Sequence, residues 1–169
     1  MDIHQETAAD PTLRVLDATE AWAMGVIDHC LLVIWRKQPT PDAFRFRNAA
    51  LSAVVAKYPG KAALVEVVEP NSTPPQDDAR RVAMSVYKDL GDDLTAIAML
   101  IEGSYIRSTL VRAILTTMMF FVKQLQPTKV FRNIGETAAW IGPAVSAPSG
   151  FEQRLIVAIA ELRAKIKPR

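Results

Sequence analysis

The sequence predicts an α/β protein with a mostly parallel sheet of about five strands, an antiparallel edge strand and a C-terminal helix. Two observations support this. Short apolar runs alternate with amphipathic segments from residue 61 to residue 141, as in strands joined by helices with right-handed crossovers. Before them, two apolar runs separated only by Asp28-His29 predict a hairpin, which adds the antiparallel strand at the edge.

The individual elements follow from local patterns. Thr40-Pro41-Asp42 is typical of a helix start, because a hydroxyl caps the first turn, proline fits the first position and an acid faces the positive helix end. The predicted strands are Trp22–Ile27, Cys30–Trp35, Lys61–Glu69, Leu94–Ile101 and Lys129–Arg132. The predicted helices are Pro41–Tyr58, Gln76–Leu90, Ser104–Leu125, Ile134–Ile141 and Phe151–Lys167.

The longest predicted helix, Ser104–Leu125, has two apolar faces. A broad arc that includes Leu110, Met118 and Phe121 is suited to packing on a sheet. Opposite it, a narrow apolar strip repeats at every seventh residue, with a methionine beside it; its members are Ile106, Ala113 and Phe120, with Met119 adjacent. Two explanations stay open for this strip: a neighbouring or C-terminal helix covers it, or it binds a partner protein or a second copy of the chain.

Composition limits the class of protein. The chain has 169 residues, half of them hydrophobic, with a formal net charge of +2, so it can bury a core and has no strong basic footprint for nucleic acid. The single cysteine, Cys30, excludes an internal disulfide and fits a reducing compartment. No apolar run is long enough to span a membrane, and no secretory signal is visible, so a cytoplasmic protein is expected.

Four segments are expected along the chain. Residues 1–12 form a flexible tail, 13–141 the α/β domain, 142–150 a linker and 151–169 a C-terminal amphipathic helix. The linker is predicted from its composition, GPAVSAPSG. Whether the last helix packs on its own chain or on another stays open.

The end of the α/β domain resembles a known family. The strand residues Val130–Asn133 are followed by a short helical segment, Glu136–Ile141, that ends in Ala-Trp-Ile. This pattern, with the order of elements between Val15 and Ile141, resembles STAS-like domains of the anti-sigma-factor antagonist class. The resemblance implies a right-handed (βα)n superhelix and a non-enzymatic regulatory protein that docks on protein partners.

Some members of that family are controlled by a phosphorylated serine after the third strand. The matching segment here is Glu69–Pro75, where Ser72 and Thr73 are the candidate phosphoacceptors. The leading aspartate and the glycine of the family pattern are not present. The carboxyl ends of parallel strands share one edge of a sheet, so Glu69, Glu102 and Trp35 are expected to meet there, as ordinary caps and loop residues or as parts of a binding site.

Catalytic, metal and cofactor sites are not predicted. His4 and His29 are placed away from a partner nucleophile, and no cysteine–histidine spacing suits zinc. No glycine-rich phosphate motif occurs. Cys30 lies in an apolar run, which favours a small buried hydrophobe.

Two further expectations concern surfaces and pockets. The densest basic cluster is expected to be a solvated rim; it comprises Arg36, Lys37, Arg45 and Arg47. The alternative to a protein-docking function is binding of a small molecule or lipid in an apolar pocket between the sheet and the 104–125 helix, because methionine-rich surfaces adapt to ligands.

Overall fold

A computed structural model describes residues 13–104, 109 and 125–168. Within them one six-stranded sheet runs in chain order from β1 to β6. The strands β1 to β3 are antiparallel, and β3 to β6 are parallel. The predicted fold class is confirmed. The strands are β1 (Arg14–Ala18), β2 (Trp22–Ile27), β3 (Cys30–Trp35), β4 (Ala62–Val68), β5 (Leu94–Ile101) and β6 (Thr128–Phe131).

The sheet contains one strand more than the approximate number predicted. Strand β1 lies before the predicted hairpin, where no strand was predicted, and it pairs with β2 at the edge. Its register shifts between Val15 and Asp17. Such a bulge interrupts the alternation of inward and outward side chains, so a short, mostly exposed strand leaves little periodic signal.

The helices are α1 (Pro41–Lys57), α2 (Asp77–Ser85), α3 (Tyr87–Leu90), α4 (Ile134–Ala144) and α5 (Phe151–Lys165). The Thr40 hydroxyl accepts a hydrogen bond from the Ala43 amide at 3.2 Å, as the predicted cap requires. The helix predicted over 76–90 is divided at Val86 into α2 and α3. The predicted 104–125 helix lies outside the described residues, apart from residues 104, 109 and 125.

Helices cover both faces of the sheet. Helices α1, α2 and α3 pack on one face, where Leu51 and Val54 of α1 belong to the same buried cluster as Leu64 of β4. Helices α4 and α5 pack on the other face, together with Val65 of β4. Because both faces are covered, every residue of β3 and β4 is buried, as expected for central strands of a parallel sheet.

The C-terminal helix α5 packs on its own chain. Leu155, Ile159 and Leu162 are buried against the sheet. Strand β2 approaches α5 and β1 closely at Gly25, where an added Cβ would lie 2.9 Å from the Leu13 side chain and 3.5 Å from the Leu162 side chain. The segment predicted as a linker includes the last turn of α4 and the buried Val145.

Candidate functional site

Four charged side chains form a continuous chain of ion pairs at the carboxyl edge of the sheet. Arg36 follows β3, and its Nε lies 2.7 Å from Oε2 of Glu69, which follows β4. The other oxygen of Glu69 accepts from Nε of Arg163, in α5, at 2.8 Å. Nη2 of Arg163 donates to both oxygens of Glu102, after β5, at 2.8 Å. The C-terminal helix is thereby fastened to the ends of β4 and β5.

The sequence placed Glu69 and Glu102 correctly at this edge but missed Arg163. The arginine is 94 residues from Glu69 and 61 from Glu102, so no local spacing joins them. The hydrogen bond to Glu69 raises the pKa of Arg36, against a smaller opposing effect of burial. Both carboxylates at this edge, Glu69 and Glu102, therefore form ion pairs with arginines.

The loop after β4 carries the two candidate phosphoacceptors in different environments. Ser72 is 2% exposed, its amide donates to the Glu69 carbonyl at 3.0 Å, and its hydroxyl donates to the Lys37 carbonyl at 3.1 Å. Thr73, the next residue, is exposed. Ser72 therefore anchors the loop, while Thr73 is an exposed residue of the same loop.

Further contacts fix the same loop. The Gln38 side-chain amide donates to the Pro74 carbonyl at 2.7 Å. Gly103, after β5, packs against Pro70, whose Cβ would lie 3.2 Å from an added Cβ. Pro70, Pro74 and Pro75 also restrict the backbone. The result is a rigid, partly exposed loop beside the ion pairs.

A second charged pair lies inside the protein. Arg47 of α1 is 1% exposed, Glu66 of β4 is 5% exposed, and Arg47 Nη1 lies 3.1 Å from Glu66 Oε1. The other hydrogen bonds of the guanidinium go to the Tyr87 hydroxyl, the Ala83 carbonyl and the Asn48 side-chain oxygen. The prediction that Arg47 lies in a solvated rim is wrong, because these partners satisfy its donors in the interior.

The burial of Arg47 could be predicted from its position along α1. Arg47 is three residues after Phe44 and four before Leu51, both buried, so it lies on the helix face that contacts the sheet. Arg45, on the outer side, pairs with Asp42 in the first turn. A lone arginine within an apolar helical face indicates a buried partner, here Glu66.

Burial and pairing set the titration of this cluster. Burial alone would lower the pKa of Arg47, but Tyr87 and Glu66 outweigh it and the pKa is raised. Burial raises the pKa of Tyr87 to about 12, against the opposing effect of the Arg47 charge. Arg47 is thus charged and Tyr87 neutral at physiological pH.

A cavity of about 60 Å³ lies between these groups and the loop after β4. The sheet contributes Trp35, Glu66 and Met99 to its lining, and the residues 72–75 of the loop form another wall. Apolar atoms make up most of the lining surface. The carboxyl edge therefore combines a rigid loop with an apolar cavity that contains one charged pair.

The remaining predicted residues are placed as follows. The strip residues Ile106, Ala113, Met119 and Phe120 lie outside the described residues. In the part of the chain that the structure describes, no group of three or more histidine, cysteine, aspartate or glutamate side chains is arranged to hold a metal ion. Nor does any described helix combine the length and apolarity needed to cross a membrane.

The two residue types most often used as nucleophile and base lie at the opposite end of β3. Cys30 is fully buried, and burial raises the pKa of its thiol, with a further contribution from Asp28. His29 stacks on Tyr58 at 4.1 Å, and its Nδ1 lies 3.1 Å from the Val145 carbonyl. Cys30 is therefore part of the core, and the His29 ring contacts Tyr58 and the Val145 carbonyl.

No protein-family model matches the sequence, and no curated protein matches it significantly. The fold is similar to the crystal structure of an anti-sigma factor antagonist from Mycobacterium paratuberculosis. The two chains are 15% identical with a TM-score of 0.47, and the similarity covers 79% of this chain and 98% of that one. This is the class of protein that the sequence resembles. The fold assignment rests on strand order and register.

Proposed function

We propose that this protein is a non-enzymatic regulatory protein that docks on a partner protein through the loop Glu69–Pro75 at the carboxyl edge of the sheet. The observation that supports the proposal is the contrast between two adjacent hydroxyls. Ser72 is buried and holds the loop, and Thr73 is exposed on it. A loop that is already ordered loses little conformational entropy when a partner binds.

The charges beside the loop support docking rather than catalysis. Both oxygens of Glu69 and both oxygens of Glu102 accept hydrogen bonds from arginines. A general base needs a carboxylate that is within reach of a substrate proton and is not already neutralised by a cation. Paired in this way, the two glutamates stabilise the edge that presents the loop.

Control by phosphorylation is part of the proposal, with Thr73 as the phosphoacceptor and Ser72 as the weaker candidate. A kinase reaches an exposed hydroxyl directly, whereas Ser72 would first have to give up its hydrogen bond to the Lys37 carbonyl. A phosphate adds roughly −1.5 to −2 charges at neutral pH. On this loop it would compete with Glu69 for Arg36 and Arg163.

The apolar strip Ile106–Ala113–Phe120, with Met119, is proposed as a second contact surface, for the partner or for a second copy of the chain. Light scattering after size exclusion tests self-association through it. The mass of a wild-type dimer should fall to that of a monomer in Phe120→Glu. An unchanged mass, together with unchanged partners, removes the strip from the proposal.

The loop itself is tested by comparing the proteins that co-purify with three tagged versions of the full chain. These are wild type, Thr73→Arg and Ser52→Arg, the last a matched change at an exposed hydroxyl on α1. We expect a partner that is retained by wild type and by Ser52→Arg and lost from Thr73→Arg. Recovery of the same proteins with all three excludes Thr73 from the docking surface.

Small-molecule binding is the second candidate function. The pocket predicted between the sheet and the 104–125 helix involves residues outside the described ranges. The specific observation in favour of a ligand is a different cavity of about 60 Å³ beneath the loop, with a largely apolar lining. Native mass spectrometry of freshly purified protein tests it. A reproducible mass above that of the polypeptide supports a retained ligand, and the bare polypeptide mass from several preparations counts against one.

A further inference from the structure

An open groove of about 820 Å³ lies between helix α1 and the strands β1 and β2. Helix α1 packs on β3 and β4, while α5 packs on the opposite face of β1 and β2. The α1-side face of β1 and β2 therefore forms one wall of the groove, and α1 forms the other with Ala49, Ala50 and Ala53. The short side chains of these alanines leave the space between the walls, which we call the β1–α1 groove.

The charged side chains of the groove lie together at its end near the turn between β2 and β3. They are Arg14, Asp28, Lys57 and Arg154. Arg14 is the first residue of β1 and lies opposite the end of β2. Asp28 belongs to the turn and pairs with Arg154. Lys57 precedes Tyr58, whose ring stacks on the turn residue His29. One end of the groove is therefore ionic.

The opposite end of the groove is apolar. Phe46 lines it, is 37% exposed, and contacts Trp22, the first residue of β2, with ring centroids 5.2 Å apart. Between the two ends the walls carry Leu16, Val26 and the α1 alanines. Trp22 and Val26 are four residues apart on β2, which is about 14 Å in an extended strand. The groove is thus long enough for an extended chain and carries charge at one end only.

The ionic end has an excess of positive charge. Asp28 is the one carboxylate in the described lining, and its Oδ2 already lies 3.2 Å from Arg154 Nη2. Among the described residues neither Arg14 nor Lys57 pairs with a carboxylate, and Lys57 Nζ lies 5.1 Å from the centroid of the Tyr58 ring. An anion at this end would gain two cations without a carboxylate partner, whereas a cation would be repelled by them.

The apolar walls define the rest of the ligand. An extended peptide presents a polar amide group at every residue, and burying such a group without a hydrogen-bond partner is costly. An acyl chain has no polar group to bury and is stabilised by contact with apolar walls. The groove volume also falls within the roughly 300–1,000 Å³ of small-molecule sites. These features fit an elongated amphiphile with one anionic end.

We propose that the β1–α1 groove binds a fatty acid as a single-chain carboxylate. The carboxylate lies between Arg14 and Lys57, and the chain runs along Leu16 and Val26 towards Phe46. Among the described residues, the groove shares no lining residue with the cavity beneath the docking loop. The inference is therefore independent of both candidate functions.

The test is a titration of the full chain, followed by NMR at the indole N–H of Trp22, at the apolar end of the groove. The probes are decanoate, butanoate, 1-decanol and decyltrimethylammonium, all below the concentrations at which they form micelles. We expect a saturable shift with decanoate and roughly fivefold weaker binding of 1-decanol, because each exposed ion pair contributes modestly. The cation should bind more weakly still. Butanoate should also bind more weakly than decanoate, since each buried methylene strengthens binding by up to roughly fourfold.

Matched variants separate the groove from the rest of the surface. Ala53→Phe places a ring in the groove and should abolish the saturable shift. Ala160→Phe, the same substitution at an exposed position on α5, should leave it unchanged. The double variant Arg14→Gln/Lys57→Gln should bind decanoate and 1-decanol equally, because the two cations are then absent. Ala53 and Ala160 are both exposed, so neither substitution enlarges a core side chain.

Three results overturn the inference: equal binding of decanoate, 1-decanol and decyltrimethylammonium, unaltered binding in Ala53→Phe, or equal shifts of the Trp35 and Trp140 indoles. A response to anionic phospholipid vesicles or to an acidic synthetic peptide, with none to decanoate, assigns the groove to another occupant and also overturns it. None of these results affects docking through Thr73 or a ligand in the cavity beneath the loop.

Discussion

Arg163 Nη2 lies 2.8 Å from each carboxylate oxygen of Glu102, while its Nε lies 2.8 Å from Oε1 of Glu69. One residue of the C-terminal helix thus joins the ends of two neighbouring parallel strands. Since the same helix buries Leu155, Ile159 and Leu162 on the sheet, α5 is part of the folded domain. The edge that carries the loop is stabilised from a distant part of the chain.

The first prediction concerns this fastening. Arg163→Ala should lower the free energy of unfolding by about 1 kcal/mol, since partly exposed ion pairs contribute up to about that amount. Urea unfolding measures the loss. Lys165→Ala, at an exposed position in the same helix, is the matched control and should be close to wild type. Equal losses in the two variants would show that the ion pairs contribute nothing specific.

The second prediction concerns the buried pair. Glu66→Leu alone leaves the Arg47 charge uncompensated in the interior and should cost about 3–5 kcal/mol. The double variant Arg47→Leu/Glu66→Leu should be more stable than Glu66→Leu, because replacing both partners removes the unpaired charge. A double-mutant cycle by denaturant unfolding gives the coupling energy. Strict additivity of the two single losses contradicts a direct interaction.

The third prediction is a loss of stability at alkaline pH. Burial raises the pKa of Tyr87 from 10.0 to about 12, so the unfolded chain releases this proton at a lower pH than the folded chain does. The stabilisation is present below pH 10 and is lost as the pH rises towards 12, by about 3 kcal/mol for two pKa units.

Urea unfolding measured between about pH 9 and pH 11 checks the direction of this change. Tyr87→Phe starts from a lower stability because it loses the hydrogen bond to Arg47. Its stability should nevertheless decline less over the same pH interval. Parallel declines in wild type and Tyr87→Phe would show that the folded and unfolded states bind this proton equally well.

The fourth prediction uses the single cysteine. Cys30 is fully buried and the pKa of its thiol is raised by burial, so the thiolate form is disfavoured in the folded protein. A thiol reagent should modify the native chain only as fast as the chain opens, and immediately in denaturant. Rapid stoichiometric labelling under native conditions would show that β3 is accessible.

The sequence predicted the sheet because central strands carry a strong local signal, as in the fully apolar Cys30–Trp35. It missed β1, a five-residue strand with a bulge and mostly exposed side chains. The Arg47–Glu66 pair could be predicted in part from the sequence, because each residue interrupts an apolar pattern. Their pairing across 19 residues is a tertiary contact that no local pattern reports.

The candidate site, like the fold, could be predicted from the sequence only in part. The carboxyl edge followed from strand order, and the loop with Ser72 and Thr73 followed from the resemblance. The burial of Ser72 depends on the Lys37 carbonyl, 35 residues away, and no pattern around residue 72 reports that contact. The contacts of Arg163 depend on the packing of α5 on the sheet, and the sequence left that packing open.

Site-specific photo-cross-linking from residue 73 tests the docking proposal most directly. A photoreactive amino acid replaces Thr73 in one version of the full chain and Ser52, also exposed, in another. The account predicts a discrete cross-linked partner from position 73 and none from position 52. The same adducts from both positions, or none from position 73 while the partner still co-purifies, would contradict it.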